Sequence, residues 1–235
     1  MKIEGPLQDA TFVDRPNRFL TIVDLGGRRL ESHLPDPGRL KELLLPGARL
    51  KVRPVDWRDG VHRKTRLTTV MVQSGDLWVS IDSTLPNRWV SSLLENGQLD
   101  MFEGYTLVKR EVTVGRHRFD FLLEKDGVPL YLEVKSVTLV MDGVAMFPDA
   151  VSGRGRKHMV ALAGLAGTGA EAGVLFVCQR PDVRLFRPQW DRDPGFAHAL
   201  VEAENAGVNV WVISGKVTPA SIRYHRVVPY DLSPF

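Results

Sequence analysis

Cysteine is nearly absent from this sequence, which holds a single one, Cys178, in 235 residues. An intramolecular disulfide is therefore excluded, and nothing indicates an oxidising compartment. The chain also lacks any segment near the ~18 consecutive apolar residues that a membrane-spanning helix needs. Its N-terminal segment, MKIEGPLQD, carries no apolar stretch of signal-peptide length. We therefore expect a soluble, cytoplasmic protein with no membrane partner.

Internal repeats, low-complexity tracts and a cofactor-binding loop are lacking as well. A sugar-metabolising enzyme gains no support, since no acid pair in the chain requires glycoside chemistry to explain it. Apolar residues, in contrast, are plentiful: at 43% of the chain they suffice for one large or two small packed cores.

The net charge of +3 is unevenly distributed. Residues 1–84 hold 14 Lys/Arg against 11 Asp/Glu, whereas residues 85–235 hold 17 of each. The segment 49–66 is especially basic and carries Trp57, a combination that suits phosphate contacts and base stacking, although a solvated basic hairpin is at least as common. The candidate phosphate-binding residues of the N-terminal part are Arg18, Arg39, Arg53, Arg63, Lys64 and Arg66.

Short alternating apolar runs separated by turn residues fill positions 1–83. They predict five or six strands with a short helical insert at 38–44, and an oligonucleotide-binding (OB) barrel is the candidate fold at this size. Two prolines make HLPDPGRL a rigid loop. Asp36 is predicted to cap the helical insert, although with His33 and Arg39 it could instead bind phosphate or metal.

The sequence pattern changes from alternation to a helical period near residues 83–86. We place a domain boundary there, which gives an OB-like, nucleic-acid-binding domain at 1–83 and a second domain at 84–235. Asn87 is predicted to cap the first helix of the second domain, and Gly97 is predicted to end it.

Three successive strands are predicted within 105–139, followed by a loop at 143–155. Ser152 is predicted to cap the next helix and Asp193-Pro194 to open the one after it, which ends at Gly207, and a strand follows each helix. The order helix, three strands, helix, strand, helix, strand indicates an α/β domain, with parallel pairing across the helical crossovers.

Two apolar runs flank the dipeptide Asp126-Gly127 within the segment 118–138, RFDFLLEKDGVPLYLEVKSVT. An Asp-Gly dipeptide is a strong hairpin signal because both central positions of a type I′ turn need positive φ. The sequence therefore predicts an antiparallel hairpin in which Lys125 faces Val128.

Continuing this register places Asp120 opposite Glu133 and Arg118 opposite Lys135, with Asp120, Glu133 and Lys135 on one face. Facing like charges are destabilising, so the two acids require a cation or a proton between them. A hard divalent ion, Mg²⁺ or Mn²⁺, held by Asp120 and Glu133 would meet this need. Lys135 would then assist an attacking water or neutralise charge on a phosphate, which makes these three the candidate catalytic residues.

An alternative interpretation treats Asp120 and Glu133 as ordinary solvent-facing residues with Lys135 as their ion-pair partner. Against this, Glu133 and Lys135 interrupt the very apolar strand LYLEVKSVTLVM. Charge in such a strand is costly to bury unless it is used, so the pattern favours a functional site.

A second polar cluster surrounds the predicted helix start after Ser152. Backbone N–H groups at a helix start favour anions, so Arg154 and Lys157 suit a phosphate, although they could simply pair with Asp149. His158 could act as a general acid or proton shuttle, but a histidine beside an apolar helix face is more often structural. We interpret Asp149 as a loop cap or supporting residue.

A family resemblance covers nearly the whole chain and rests on four motifs: RPNRF at 15–19, HLPDPGRL at 33–40, EVKSVTL at 133–139 and FPDAVSGRGRKHM at 147–159. With this spacing the chain resembles the sugar fermentation stimulation protein A family. The resemblance implies an N-terminal OB barrel and a C-terminal mixed sheet, flanked by helices, like that of the PD-(D/E)XK restriction-endonuclease superfamily. It also implies that Asp120, Glu133 and Lys135 occupy the metal and lysine positions of that superfamily.

The chain departs from the family pattern at three positions. Ser92 lies about where the family has a Glu, and Glu95, a helical turn further on, is a candidate supporting residue. Gly153 and Ala161 stand where acids are usual. These differences weaken the expectation of cleavage more than that of the fold.

Two functional hypotheses follow. The resemblance implies a DNA-binding protein with a nuclease-like domain and a divalent-metal site, a candidate regulator of sugar, especially maltose, metabolism. The alternative is an active Mg²⁺-dependent nuclease in which Lys135 assists the attacking water. The expected partner is nucleic acid, DNA before RNA, and a homodimer is one candidate assembly.

Overall fold

The computed structural model describes residues 1–55 and 64–234. The chain forms two compact units, Met1–Leu85 with Lys216–Arg223, and Pro86–Gly215 with Tyr224–Phe235. Among the helices of the described residues, none has the length and apolar character needed to cross a membrane.

The first unit contains an OB-like barrel, as predicted. Its six strands follow the order β3-β2-β1-β4-β5-β6, and a short parallel pairing of β3 with β5 links non-neighbouring strands. Apolar side chains such as Phe12, Val23 and Leu50 fill its interior. The strands are β1 Gln8–Asn17, β2 Leu20–Leu25, β3 Arg28–His33, β4 Arg49–Pro54, β5 Leu67–Ser74 and β6 Leu77–Ser80.

The helical insert predicted at 38–44 is wrong, because this segment forms a single turn. The Leu40 carbonyl accepts from the amides of Leu43 and Leu44 at 3.1 and 2.8 Å. Leu40 itself has a φ of 50°, outside the right-handed helical region, so no helix propagates through it. Asp36 caps no helix, and its Oδ1 accepts from the Gly38 amide at 2.7 Å within the loop.

The second unit has a mixed six-stranded sheet of the restriction-endonuclease type, as predicted, in the order β15-β14-β12-β9-β8-β7. β12 pairs parallel with both β9 and β14, which confirms the expected pairing across the helical crossovers. The elements are α1 Leu85–Glu95, β7 Thr106–Val114, β8 His117–Lys125, β9 Val128–Val137, β10 Val140–Met141, β11 Val144–Phe147, α2 Gly153–Ala166, β12 Glu171–Cys178, β13 Leu185–Pro188, α3 Pro194–Asn205, β14 Asn209–Val217 and β15 Ile222–Val227.

Short strands occupy part of the segment predicted to be a loop at 143–155. β11 pairs antiparallel with β10 and parallel with β13, giving a separate three-stranded sheet. Its strands contain two to four residues each, too few for an alternating pattern to stand out in the sequence.

Of the N-caps predicted at Asp36, Asn87 and Ser152, that of Ser152 is confirmed, and the helix predicted to open at Asp193-Pro194 does so. Ser152 Oγ accepts from the Gly155 amide at 3.0 Å, and Asp193 Oδ1 accepts from the Phe196 amide at 2.9 Å. The prediction for Asn87 is wrong, because α1 already begins at Leu85. Pro tolerates the first helical turn, where its missing N–H would have no partner in any case, so Pro86 starts the helix earlier than expected.

Helices α2 and α3 supply apolar side chains to the main core of the second unit. Cys178 lies in this core and is fully buried, and burial raises the pKa of its thiol, as expected for an unreactive cysteine. The packing fixes β9, which carries Glu133 and Lys135, in the middle of the sheet.

Candidate metal and phosphate site

The hairpin that carries the site turns where the sequence predicts. Asp126 and Gly127 have φ values of 52° and 80°, as a type I′ turn requires. β8 and β9 pair from Lys125↔Val128 onward, which confirms the predicted register over the apolar part of the hairpin.

The regular pairing ends at Phe121↔Leu132, one step before the predicted pair of Asp120 and Glu133. In a continued ladder the Val134 amide would donate to the backbone of Phe119. It instead donates to Asp120 Oδ2 at 2.7 Å. Asp120 and Glu133 therefore do not form the predicted backbone pair, because the Asp120 side chain replaces the backbone acceptor at that step.

Asn87 of α1 holds the other oxygen of Asp120. Its Nδ2 donates to Asp120 Oδ1 at 2.6 Å. The sequence suggested a helix cap for Asn87, and no local signal indicates a contact with a residue 33 positions away. Asn87 is thus a site residue that sequence reasoning missed.

Glu133 is nearly fully buried, with an exposed fraction of 4%. Its Oε1 contacts both Lys135 Nζ and His158 Nδ1, the latter at 2.5 Å. Its Oε2 is also buried and has no hydrogen-bond partner. A buried carboxylate oxygen without a partner is costly, so this atom is suited to an external ligand.

His158 is hydrogen-bonded to Glu133 and is itself contacted by Arg154. Arg154 Nε donates to His158 Nε2 at 3.5 Å. This contact favours the tautomer in which Nδ1 carries the hydrogen and donates it to Glu133. The structure thus places His158, which the sequence left between a functional and a structural role, in direct contact with the candidate site.

The two acids have opposite pKa shifts. Burial and the neighbouring charge of Glu133 raise the pKa of Asp120 to about 6, although the Val134 amide, Lys135 and Asn87 oppose the rise. Burial alone would also raise the pKa of Glu133. The hydrogen bond from His158 and the charge of Lys135 outweigh that effect and lower it.

This donor set fits a hard divalent cation. Asp120 is destabilised as an anion, and Glu133 offers an unpartnered oxygen, so a cation near both would relieve two costs. Across residues 1–55 and 64–234 no group of three or more His, Cys, Asp or Glu side chains is arranged to hold a metal. Mg²⁺ needs only one or two carboxylates, with water and substrate phosphate as its other ligands.

The two candidate supporting acids have partners of their own. Glu95 is exposed, and its Oε1 accepts from Ser91 Oγ of the same helix at 2.9 Å. Asp149 is buried and lies 3.0 Å from Arg192 Nη1. These contacts link both residues to groups other than the predicted catalytic residues.

The basic residues of the barrel differ in their surroundings. Arg53 lies 3.4 Å from Glu4 Oε2 and 3.8 Å from Asp82 Oδ2, so its charge is partly neutralised. The Arg18 guanidinium lies 5.9 Å from the centre of the Phe19 ring. The exposed candidates are Arg18, Arg39, Lys64 and Arg66, whereas Arg63 lies outside the described residues.

Fold and site together define a class of protein: an OB-like barrel combined with a restriction-endonuclease-like domain in which two acids and a lysine lie close together. Two family models match the chain, the SfsA N-terminal OB domain over residues 13–81 and the sugar fermentation stimulation protein RE domain over residues 84–221. The chain belongs to the sugar fermentation stimulation protein (SfsA) family, which confirms the resemblance seen in the sequence.

Relatives and a solved structure agree with this assignment. The sugar fermentation stimulation protein homologue of Chloroflexus aurantiacus is 44% identical over 226 residues, covering 96% of this chain and 86% of its own length. The homologue of Acetivibrio thermocellus is 44% identical over 218 residues, which is 92% of each chain. SfsA of Pyrococcus furiosus, solved in complex with Ca²⁺, is 30% identical, with a TM-score of 0.88 over 98% of both chains.

Proposed function

We propose that this protein binds DNA and holds a divalent metal ion between Asp120 and Glu133, next to Lys135. The observation that carries the proposal is the buried Glu133 Oε2, which has no partner, close to an Asp120 whose pKa is raised by burial and by the charge of Glu133. We assign nucleic-acid binding to the barrel domain at 1–83 and the nuclease-like metal site to the domain at 84–235.

Asp120 and Glu133 are the residues that would hold the metal, and Mg²⁺ or Mn²⁺ suits their carboxylate oxygens. A bound divalent ion supplies Lewis-acid polarisation of a phosphate oxygen. The Ca²⁺ named for the Pyrococcus furiosus relative is a hard cation of the same kind, and this supports the assignment.

The surrounding side chains orient the two acids. Lys135 and His158 both contact Glu133 Oε1, which leaves Oε2 for another ligand. Asn87 and the Val134 amide fix the Asp120 carboxylate. Lys135 also carries a charge that can neutralise an anion bound beside Glu133, which is the role expected of a lysine in a phosphodiester site.

Nucleic acid is the substrate class that this chemistry favours. A divalent ion beside a lysine suits a phosphate, and exposed cations such as Arg154 and Lys157 lie near the start of α2. DNA is our first choice, on the strength of the family resemblance. The name of the curated relatives supports a role in regulating sugar metabolism, and we extend that role, with maltose as the sugar, to this chain.

The alternative function is metal-dependent cleavage of phosphodiester bonds. The contact between Lys135 and Glu133 favours it, because a lysine so placed can act on the water or on the phosphate. Ser92, Gly153 and Ala161 stand where the family usually has acidic residues. This difference favours DNA binding without cleavage.

Metal titration tests the metal site. Calorimetry with Mn²⁺ should detect binding to the wild type and none to Glu133→Gln, because the substitution removes the charged ligand oxygens. Glu95→Gln is the matched control, since it changes an exposed acid whose partner is Ser91, and it should bind Mn²⁺ as the wild type does. Equal Mn²⁺ binding by wild type and Glu133→Gln would refute the site.

Labelled single- and double-stranded DNA and RNA then separate binding from cleavage. If the protein is a nuclease, Lys135→Ala should keep Mn²⁺ binding but lose most of the cleavage rate, on the order of 10²-fold, because it removes a transition-state contact. If wild type and Lys135→Ala are equally inactive on all substrates while both bind DNA, the nuclease alternative fails and the binding function stands.

A further inference from the structure

A basic groove of about 910 Å³ opens in the second unit between the β7–β8 turn and the first half of α2. Two of its cationic side chains come from the turn region and three from the helix. They are Arg116, Arg118, Arg154, Arg156 and Lys157, and all five are exposed.

These charges are poorly neutralised by the protein. Within the described chain the five take part in one ion pair, Arg118 with Glu111 at 3.8 Å, and both of these side chains are exposed. Such surface pairs contribute little, so Arg118 remains able to bind another anion. Cations gathered around one concavity raise the local potential and attract a polyanion.

The basic groove is connected to the candidate metal site through His158. This side chain lines the groove and also lies 2.5 Å from Glu133 Oε1. Arg154, on the same wall, donates to His158 through Nε, which leaves the two Nη groups for a ligand. An anionic chain lying in the groove would therefore contact His158, one side chain away from the carboxylate whose Oε2 is unpartnered, although Glu133 itself does not line the groove.

The chemistry of the lining distinguishes phosphate contacts from base contacts. Besides the five cations, the lining consists of His117, His158, Val160 and Ala161. Its described lining residues include no Asn, Gln or carboxylate, which are the side chains that bind adenine and cytosine edges. Its Arg and Lys side chains bind phosphates, and guanine is the one base whose edge they also bind, so we expect phosphates to supply most of the binding energy.

We propose that the basic groove binds the sugar-phosphate backbone of a nucleic acid strand next to the Asp120 and Glu133 site. Arg116, Arg118 and Arg156, which the sequence did not single out as phosphate ligands, are then part of the interface. This inference rests on the proposed function and deepens it, because it places phosphate contacts of the substrate in the C-terminal domain as well as in the barrel.

The test is fluorescence anisotropy with the full-length protein and short labelled DNA, in Ca²⁺ and over a series of salt concentrations. Arg116→Ala/Arg156→Ala should weaken binding by about tenfold for each charge-assisted hydrogen bond removed. The slope of log affinity against log salt should fall by about two, one for each phosphate that the variant no longer neutralises. The matched control is Lys109→Ala/Arg110→Ala, which removes two exposed cations of β7 that do not line the groove.

The outcomes separate this inference from the proposed function. If the wild type binds no DNA, the proposed function fails. If it binds DNA but the groove variant and the control lose affinity equally, only the groove assignment is overturned. Mn²⁺ binding should be unchanged in the groove variant, and its loss would show that the substitutions disturb the metal site instead. Displacement by polyglutamate as effective as displacement by DNA would also overturn the assignment, because it would indicate an acidic peptide ligand.

Discussion

Asp120 and Glu133 carry the same charge but respond to their surroundings in opposite directions. Glu133 has two cationic or donor side chains on one oxygen, Lys135 and His158, and its pKa is lowered. Asp120 has an amide side chain and a backbone amide, which do not offset burial and the charge of Glu133. In the metal-free protein the two acids therefore contribute to stability with opposite signs.

This difference predicts how single substitutions change stability in EDTA. The folded-state pKa of Asp120, about 6, lies above the ordinary value of 3.8, so ionising it costs stability as pH rises between these values. Asp120→Asn removes that cost, roughly 3 kcal/mol, and loses one hydrogen bond of about 1 kcal/mol. The free energy of unfolding, measured by urea melts at pH 7, should therefore rise by about 1 to 2 kcal/mol.

Glu133→Gln supplies the contrast. It removes the charge that Lys135 and His158 stabilise, so the free energy of unfolding should fall by about 1 to 3 kcal/mol. Urea melts over a series of pH values give the control. The difference in free energy of unfolding between Asp120→Asn and wild type should grow from pH 4 to pH 6 and then level off. A stability loss in Asp120→Asn as large as that in Glu133→Gln would indicate that both acids are structural ion-pair partners.

At the scale of elements, the sequence was informative wherever a local signal decides the structure. The Asp126-Gly127 turn sets the register of its hairpin, and the side chains of Ser152 and Asp193 start their helices, because turn and cap chemistry acts within four residues. The same register is the reason why Asp120, Glu133 and Lys135 were predicted to lie together, since the period of two places them on one face, and their role in a site stays a prediction.

The features that the sequence missed depend on partners far along the chain. The contact of Asn87 with Asp120 and the pairing of Arg53 with Glu4 join residues that no spacing rule connects. The strands β10, β11 and β13 contain two to four residues each, and their pairing partners define them rather than their own periodicity. A short helical insert was predicted at 38–44, while positive φ at Leu40 prevents a helix there.

One element-scale prediction concerns Arg15, which ties the loop after β3 to the β1–β2 turn. Its guanidinium donates to the backbone carbonyls of Arg18, Asp36, Gly38 and Arg39 at 2.5 to 3.2 Å. Arg15→Ala should reduce the free energy of unfolding by about 1 to 3 kcal/mol, because several carbonyls lose a charged donor. Urea melts of the full chain measure this change in the free energy of unfolding.

Arg18→Ala is the matched control for Arg15→Ala, because it removes the same charge from an exposed side chain three residues further along the chain. It should change stability by no more than about 0.5 kcal/mol. If the two variants are equally stable, the four carbonyl contacts of Arg15 contribute nothing measurable, and the conformation of the loop must depend on its prolines.

At the scale of the whole molecule, the first unit is not one continuous stretch of sequence. It includes Lys216–Arg223 in addition to residues up to Leu85. Backbone hydrogen bonds join this segment to the N-terminus: the Ile3 amide donates to Ala220 O at 3.0 Å, and the Ile222 amide donates to Met1 O at 3.0 Å. The sequence pattern changes near residue 84, but it contains no signal that so distant a segment returns to the barrel.

The last prediction combines this topology with nucleic-acid binding. A fragment ending at Leu85 loses the partner of residues 1–3, so it should melt at a lower temperature than a fragment in which a Gly/Ser linker adds Lys216–Arg223. If the barrel carries phosphate-binding cations, as proposed, the linked fragment should bind DNA with an affinity that falls steeply as salt rises. Filter binding at low and high salt measures this, and replacing Arg39 and Lys64 by Ala should lower both the affinity and its salt dependence.

Thermal melts that do not differ between the two fragments would show that residues 216–223 are dispensable for the barrel. A folded linked fragment that binds no DNA would leave the basic groove of the second unit as the remaining candidate interface.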